Sequence, residues 1–329
     1  MNKEIVISVK TIFVTLLALL GIYVIYKLGP IIGILFIATL IVISMESAVK
    51  YFTRLTLFNK PLSRGAAVII SYLILTAILI GVVTFIVPPV VSESQKMIVN
   101  LSSIMRNITL PGNLELNFSE LIPQASKVTT GILSATVSVF TNVAAFISLI
   151  IISIYMSLDW LNIKKNFIGI FPDKMEETVE ETFEEIEKSV GAWVRGELLL
   201  MLVIGLASFV GLAILGIKYF VALAIVAGIA EAIPMIGPVI SGILAGIVGF
   251  TESPIKGIGV VILFILIQQL ENNILVPKVM GRVSGFRPLM VLIALLVGSH
   301  FFGIVGAICA MPVTMIGTII LKRYLGLSK

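Results

Sequence analysis

The chain has 329 residues, 58% of them hydrophobic and only 12% charged, and its mean hydropathy is +1.14. A soluble domain clothes its surface in polar groups and carries about a quarter charged residues, so this composition excludes a soluble globular domain, a secreted disulfide scaffold, a nucleic-acid binder and a disordered tail. The net charge of +5 arises from 23 Lys and Arg against 18 Asp and Glu, and its placement is more informative than its sum.

A bilayer core of about 30 Å needs ~20 apolar helical residues to cross it. Thr11 to Met45 is interrupted only by Lys27, Gly29 and Pro30 and reads as two membrane helices joined by a tight external turn. Gly65 to Ser92 and Val128 to Leu158 are free of charge and give two more. Between them, 93–127 is polar and rich in turn residues, which predicts an external loop holding an amphipathic helix. The segment 159–192 is predicted to be a cytoplasmic helix starting near Pro172 and Asp173. Val179, Phe183, Ile186 and Val190 form its apolar stripe, and glutamates fill the other face.

The C-terminal region, 193–329, continues with a span from Leu198 to Ile217. The runs Tyr219 to Ala230 and Gly257 to Leu270 are short and end on Glu231 and Glu271, with Ala232 to Thr251 between them. Pro288 to Leu321 is longer than one perpendicular helix requires. Gly298, Ser299, His300, Gly303 and Gly306 predict a break in its middle. The expected fold is therefore all-α and polytopic, with about eight transmembrane helices and broken or re-entrant segments in the C-terminal half.

Lysine and arginine are retained on the cytoplasmic side of a membrane. Read with the N-terminus inside, the inner segments hold 17 of the basic residues and the outer ones six, among them Lys218 and Lys256. Both termini are then expected in the cytoplasm of a multi-pass cell-membrane protein. Cys309, the one cysteine, lies in an apolar run and reads as a small buried hydrophobe.

The sequence offers no parts for catalysis. With one His and one Cys, and without HExxH, GxSxG, a phosphate-binding lysine loop or a dinucleotide glycine pattern, it reads as neither a metalloenzyme nor a nucleotide-driven pump. Neither a metal nor an organic cofactor is expected; a coupling Na+ or H+ is the one ion considered.

What the chain does place in apolar runs is a set of ionisable and helix-breaking residues. A carboxylate at the bilayer centre costs roughly 2.5–3.5 kcal/mol on insertion scales, and such groups mark cavities or ion paths. Glu231 precedes Pro234, Gly237 and Pro238 in AEAIPMIGPVISG, where prolines free backbone carbonyls as in the discontinuous helices of secondary transporters. In IQQLENNILVPKVMG, five polar side chains fall within six positions before Pro277 and Gly281 end the helix at a basic turn. At 100° per residue Gln268, Glu271 and Asn272 share one face, and Gln269 and Asn273 an adjacent one, giving a polar stripe wide enough to line a cavity. Glu197 is expected to be interfacial and paired with Arg195, and His300 to be structural.

PMIGP at Pro234 to Pro238, ENNILVPKVMG at Glu271 to Gly281 and the run from Arg287 to Val313, with Trp193 and Gly196 ahead of them, resemble the autoinducer-2 exporter family of membrane proteins. The resemblance implies about eight membrane segments, a homo-oligomer, and export of small molecules or exchange of sodium or lithium for protons. It places Pro234, Gly237, Pro238, Glu271, Asn272, Pro277 and Gly281 on the family's recurring motif positions. One position departs: many members have histidine where this chain has Arg287.

The expected function is secondary transport of a small molecule or cation across the lipid bilayer, with Glu271, Asn272, Gln268, Asn273 and Glu231 as the binding site. Two other classes stay open: a non-transporting membrane scaffold docking through the acidic helix, and a passive channel.

Overall fold

The computed structural model describes residues 9–57, 60–107, 143–281 and 286–325. Helix α1 is Val9–Thr53 and leads through a minimal hairpin, Thr56–Leu57 paired antiparallel with Lys60–Pro61, into α2, Arg64–Asn107. Helix α3 is Val143–Leu158, and α4, Trp160–Ile168, is bent from it by 67°. Then come α5, Asp173–Ile214, α6, Phe220–Ala230, α7, Ile236–Glu252, and α8, Pro254–Leu270. A π-helical turn, Glu271–Leu275, joins α8 to the short α9, Val276–Met280, and α10 is Pro288–Tyr324. Among the described residues, five helices are long and apolar enough to cross a bilayer, or six if the bent pair is one span; α6 and α7 are shorter apolar helices. The molecule is a polytopic all-α membrane protein.

One expectation is corrected at the N-terminal end. The turn expected at Lys27, Gly29 and Pro30 is absent, and α1 runs helically through Pro30. A turn would bare several peptide groups in an apolar setting, whereas a helical proline forfeits one hydrogen bond, so the continuous helix costs less. Helix α2 continues to Asn107, into the segment expected to be an external loop holding an amphipathic helix. The remainder of that segment, with the start of the span expected from Val128, lies outside the described residues.

The acidic helix begins at Asp173 as expected, and Val179 and Val190 are buried on its apolar stripe. It does not stop before the membrane; α5 carries it on as one helix of 42 residues. Its two ends are tied by different ion-pair clusters. Near the start, Lys164 pairs with Glu184 at 2.8 Å, and Arg323 at the end of α10 pairs with Glu181. Just past the finish, Lys256 pairs with Glu252 at 2.7 Å and donates to the Gly216 carbonyl, while the Lys218 amide donates to Glu252 at 2.6 Å. Thirty-odd residues of helix separate the clusters by on the order of 48 Å, the thickness of a bilayer with its headgroups.

Helices α1, α2 and α3 are joined by a buried ion pair. Glu46, 3% exposed, accepts two hydrogen bonds of 2.9 Å from the Arg64 guanidinium, which also donates to the Ser157 carbonyl at 3.2 Å. Val49, Ala67, Val68, Tyr72 and Ile150 pack around this junction.

Two helical hairpins complete the C-terminal half, and both depend on glycine. In α10 the helix breaks at Phe302 and Gly303, whose φ is +58°. The arms then fold together so closely that a Cβ on Gly306 would lie 2.0 Å from the Gly298 carbonyl oxygen. The same residues on a straight helix would be about 12 Å apart. The expected break is thus a re-entrant turn. In the α7–α8 hairpin Gly249 and Gly257 meet in the same way, a Cβ on the first lying 3.0 Å from Cα of the second. In both hairpins a glycine pair eight positions apart flanks the tip, where backbones must approach.

Candidate functional site

Helix α6 has 11 residues, so it penetrates only about 17 Å from the Lys218 end before the chain turns back. Glu231 caps it, and the chain returns through Ala232 to Met235 into α7, with Met235 in the left-handed region at φ 67°. Gly237 closes this turn: a Cβ there would stand 2.1 Å from the Ala230 carbonyl oxygen. Pro234 forbids continuation of α6, and Ser241 donates to the Gly237 and Pro238 carbonyls at 2.9 and 3.1 Å. The PMIGP motif is therefore the tip of a tight turn between two short apolar helices, with Glu231 held at that tip and 1% exposed.

Glu271 arrives from the next helix. It opens the π-turn after α8, about 25 Å along that helix from Pro254, and is 5% exposed. The turn's extra residue rotates everything beyond it relative to the 100° step of an α-helix. Asn272 is exposed and does not share the buried face of Glu271, contrary to the helical-wheel expectation: neighbouring helix positions point about 100° apart, and here the second of the two faces outward. Asn273 is exposed too and donates to Gln269 at 2.8 Å, so this amide pair is satisfied within its own helix. Gln268 does meet the carboxylate, donating through Nε2 to Glu271 Oε2 at 3.3 Å. Pro277 lies in α9, and Gly281 ends it with φ 52°.

Glu197 is the residue that sequence reasoning misplaced. It is 5% exposed, and Arg195, its expected partner, donates to the Ser44 carbonyl at 3.1 Å instead. Trp193, Gly196, Glu197, Leu200 and Ile204 are all buried on one face of α5, and Gly196 lies against Val279 and Met280, a Cβ there being 3.3 Å from each side chain. That contact sets α5 beside the helix end that carries Glu271. The missed signal was periodicity: Glu197 stands four residues after Trp193 and three before Leu200 on an apolar stripe.

The three carboxylates thus come from three elements and share one neighbourhood. Residues flanking each of them pack in one core: Leu200 near Glu197, Ile233 and Ile236 near Glu231, and Leu275 and Val276 near Glu271. Among the described residues Glu197 Oε1 and Glu231 Oε2 are buried without a hydrogen-bond partner. Buried, unpaired carboxylates in a low-dielectric setting call for a counter-charge, either a proton or a cation. No group of three or more His, Cys, Asp or Glu among the described residues is arranged to hold a metal ion.

The remaining candidates fall elsewhere. His300 is exposed at the tip of α10, edge-on to Phe301 at 5.3 Å between ring centres. Arg287 is the exposed cap of α10, its carbonyl accepting from Met290 at 2.8 Å. Cys309 is buried, as an apolar residue would be.

A carboxylate at a tight turn, a second carboxylate at a π-turn and a folded-back terminal hairpin are features of a membrane transport protein. The family model of the AI-2E family transporter matches residues 12–326, and the chain belongs to that family. It is 26% identical to "Putative transport protein YueF" of Bacillus subtilis, over 93% of this chain and 89% of that one. A Thermotoga maritima protein with the same transport designation is 29% identical over 93% and 94%, and one from Methanothermobacter thermautotrophicus 23% over 74% of each chain.

Proposed function

We propose that this protein is a secondary transporter of the cell membrane that couples movement of a small molecule or cation to Na+ or H+ at the Glu197–Glu231–Glu271 cluster. The observation that carries the reading is the convergence of three buried carboxylates, two with unpartnered oxygens, on a tight turn and a π-turn. Transporters hold coupling ions at such helix interruptions because only there are backbone oxygens free of the helical ladder. Glu271 is the primary ligand, Gln268 fixes its carboxylate, and Glu231 and Glu197 hold or pass the proton that a cation displaces. Asn272 and Asn273, exposed on the far side of the π-turn, face lipid or a second subunit of a homo-oligomer.

Lys50, Arg64, Lys164 and Arg323 gather at one end of the molecule and support a cytoplasmic assignment for that end and for the C-terminus. The N-terminus cannot be carried along with it. Lys10 and Lys50 now lie on one continuous helix, on the order of 60 Å apart, so they do not count for the same side through α1. The direction assigned is export.

The test is binding of radioactive sodium to the purified protein in a scintillation proximity format. Protons compete for the same oxygens, so bound sodium is expected to fall as pH is lowered, and to be lost in Glu271→Gln at every pH. Sodium binding that is independent of pH, or retained in Glu271→Gln, would remove Glu271 from the coupling site.

A further inference from the structure

Helices α7 and α8 enclose a slot of about 440 Å³ on the outer face of their hairpin, within the range of small-molecule sites. It is bounded at one end by Phe250 and at the other by Pro238 and Gln268. These ends are roughly 18 Å apart along α7. Two features of the sequence open it. Gly242 and Gly246 lie one turn apart on α7 and present no side chain, so Phe264 and Val261 of α8 form the floor. The walls, Val239, Ile243 and Ile265, are exposed, so the slot opens laterally towards the hydrocarbon of a membrane.

The slot is apolar along its length and polar at one point. Gln268 donates one amide N–H to Glu271, which leaves its second N–H and its carbonyl oxygen for a ligand, with a carboxylate directly behind. The group behind Gln268 is a carboxylate, so the charge at that end is negative. A hydrophilic ligand would lose its hydration to the apolar walls without return, and an anion would meet Glu271 unfavourably.

We propose that this slot is the substrate site, and that its ligand is a single-chain lipophilic ammonium entering sideways from the bilayer, apolar body between α7 and α8 and cationic head at Gln268 and Glu271. This deepens the transporter reading and rests on it: the substrate head and the coupling ion share Glu271, so loading one displaces the other.

The experiment uses the full chain in phosphatidylcholine nanodiscs and measures binding of radiolabelled decylamine beside that of radioactive sodium. Decylamine is expected to bind and to displace sodium, while decanol and decanoate at equal concentration compete at least tenfold less well. Gly246→Leu fills the slot from α7, and Ile265→Trp fills it from the exposed wall of α8, where no core contact is disturbed. Both are expected to weaken decylamine binding tenfold or more and to leave sodium binding intact, which also reports that the variants are folded. Lys165→Gln, on the exposed surface of α4 and outside the slot lining, is expected to bind like the parent. Sodium binding without decylamine binding, or decylamine binding unchanged in both filled variants, would overturn the slot and spare the ion site. Decylamine binding in a protein that binds no sodium would instead overturn the ion coupling. Loss of decylamine binding when the discs contain phosphatidylethanolamine would assign the site to a lipid headgroup and overturn a free amphiphile.

Discussion

Gly237→Ala is expected to abolish the folded state of the C-terminal half, although it adds a single methyl group. The Cβ would meet the Ala230 carbonyl oxygen at 2.1 Å and the Glu231 nitrogen at 2.8 Å, and both are backbone atoms that cannot swing aside. Relief requires the tip of the α6–α7 element to open, which withdraws Glu231 from its neighbours and unseats Ile233 and Ile236 from the core around Leu200, Leu295 and Met311. Such a clash belongs with the rare single changes that cost more than about 4 kcal/mol. The measurement is the fraction of purified protein that elutes as a monodisperse species, with its unfolding temperature. Gly246→Ala is the control, and a Gly237→Ala protein as stable as that control would mean that the tip is not packed as described.

Arg64→Met is the second large effect, and it acts through charge rather than volume. It leaves Glu46 buried at 3% exposure with Lys50 at 3.9 Å in place of two 2.9 Å hydrogen bonds. Removing one partner of a buried pair costs about 3–5 kcal/mol, because the remaining charge stays desolvated. Replacing both partners by apolar residues removes that penalty, so Glu46→Leu with Arg64→Met is expected to regain most of the unfolding temperature lost in Arg64→Met alone. Equal loss in the single and double variants would show that the arginine works through packing instead. Because this pair lies between α1, α2 and α3 and its hydrogen bonds go to none of Glu197, Glu231 and Glu271, sodium binding per folded molecule should be unchanged.

Much of this architecture was legible in the order of residues. Hydropathy located the helices, Pro172 and Asp173 marked the start of α5, and the glycine-rich middle of the last run marked a break that proved to be a folded-back hairpin. The N-terminal turn was misread because Lys27, Gly29 and Pro30 are turn-forming residues in water, while an apolar environment favours keeping the peptide groups helical. The site was half legible. Glu231 and Glu271 stood out as charges beside helix breakers. Asn272 was given the wrong face, because neighbouring helix positions point about 100° apart and only Glu271 of the two faces the core. Glu197 was hidden by proximity to Arg195: adjacency in sequence suggested an ion pair, while helical phase sent one side chain inward and the other to Ser44. The paired glycines at 249 and 257 and at 298 and 306 make a comparable point. Their meaning lay in an eight-residue spacing across a turn, which becomes visible once the turn is known.

In the function proposed above, Glu271, with Glu197 and Glu231 beside it, exchanges a proton for a cation during transport. The most direct test is proton movement in liposomes containing the purified protein, followed with a pH-sensitive dye when sodium or lithium is added to one side. A dye response is expected in the parent and in a Lys165→Gln surface control, and none in Glu271→Gln reconstituted to the same density. Equal responses in the parent and Glu271→Gln, or no cation-dependent response in the parent, would contradict it.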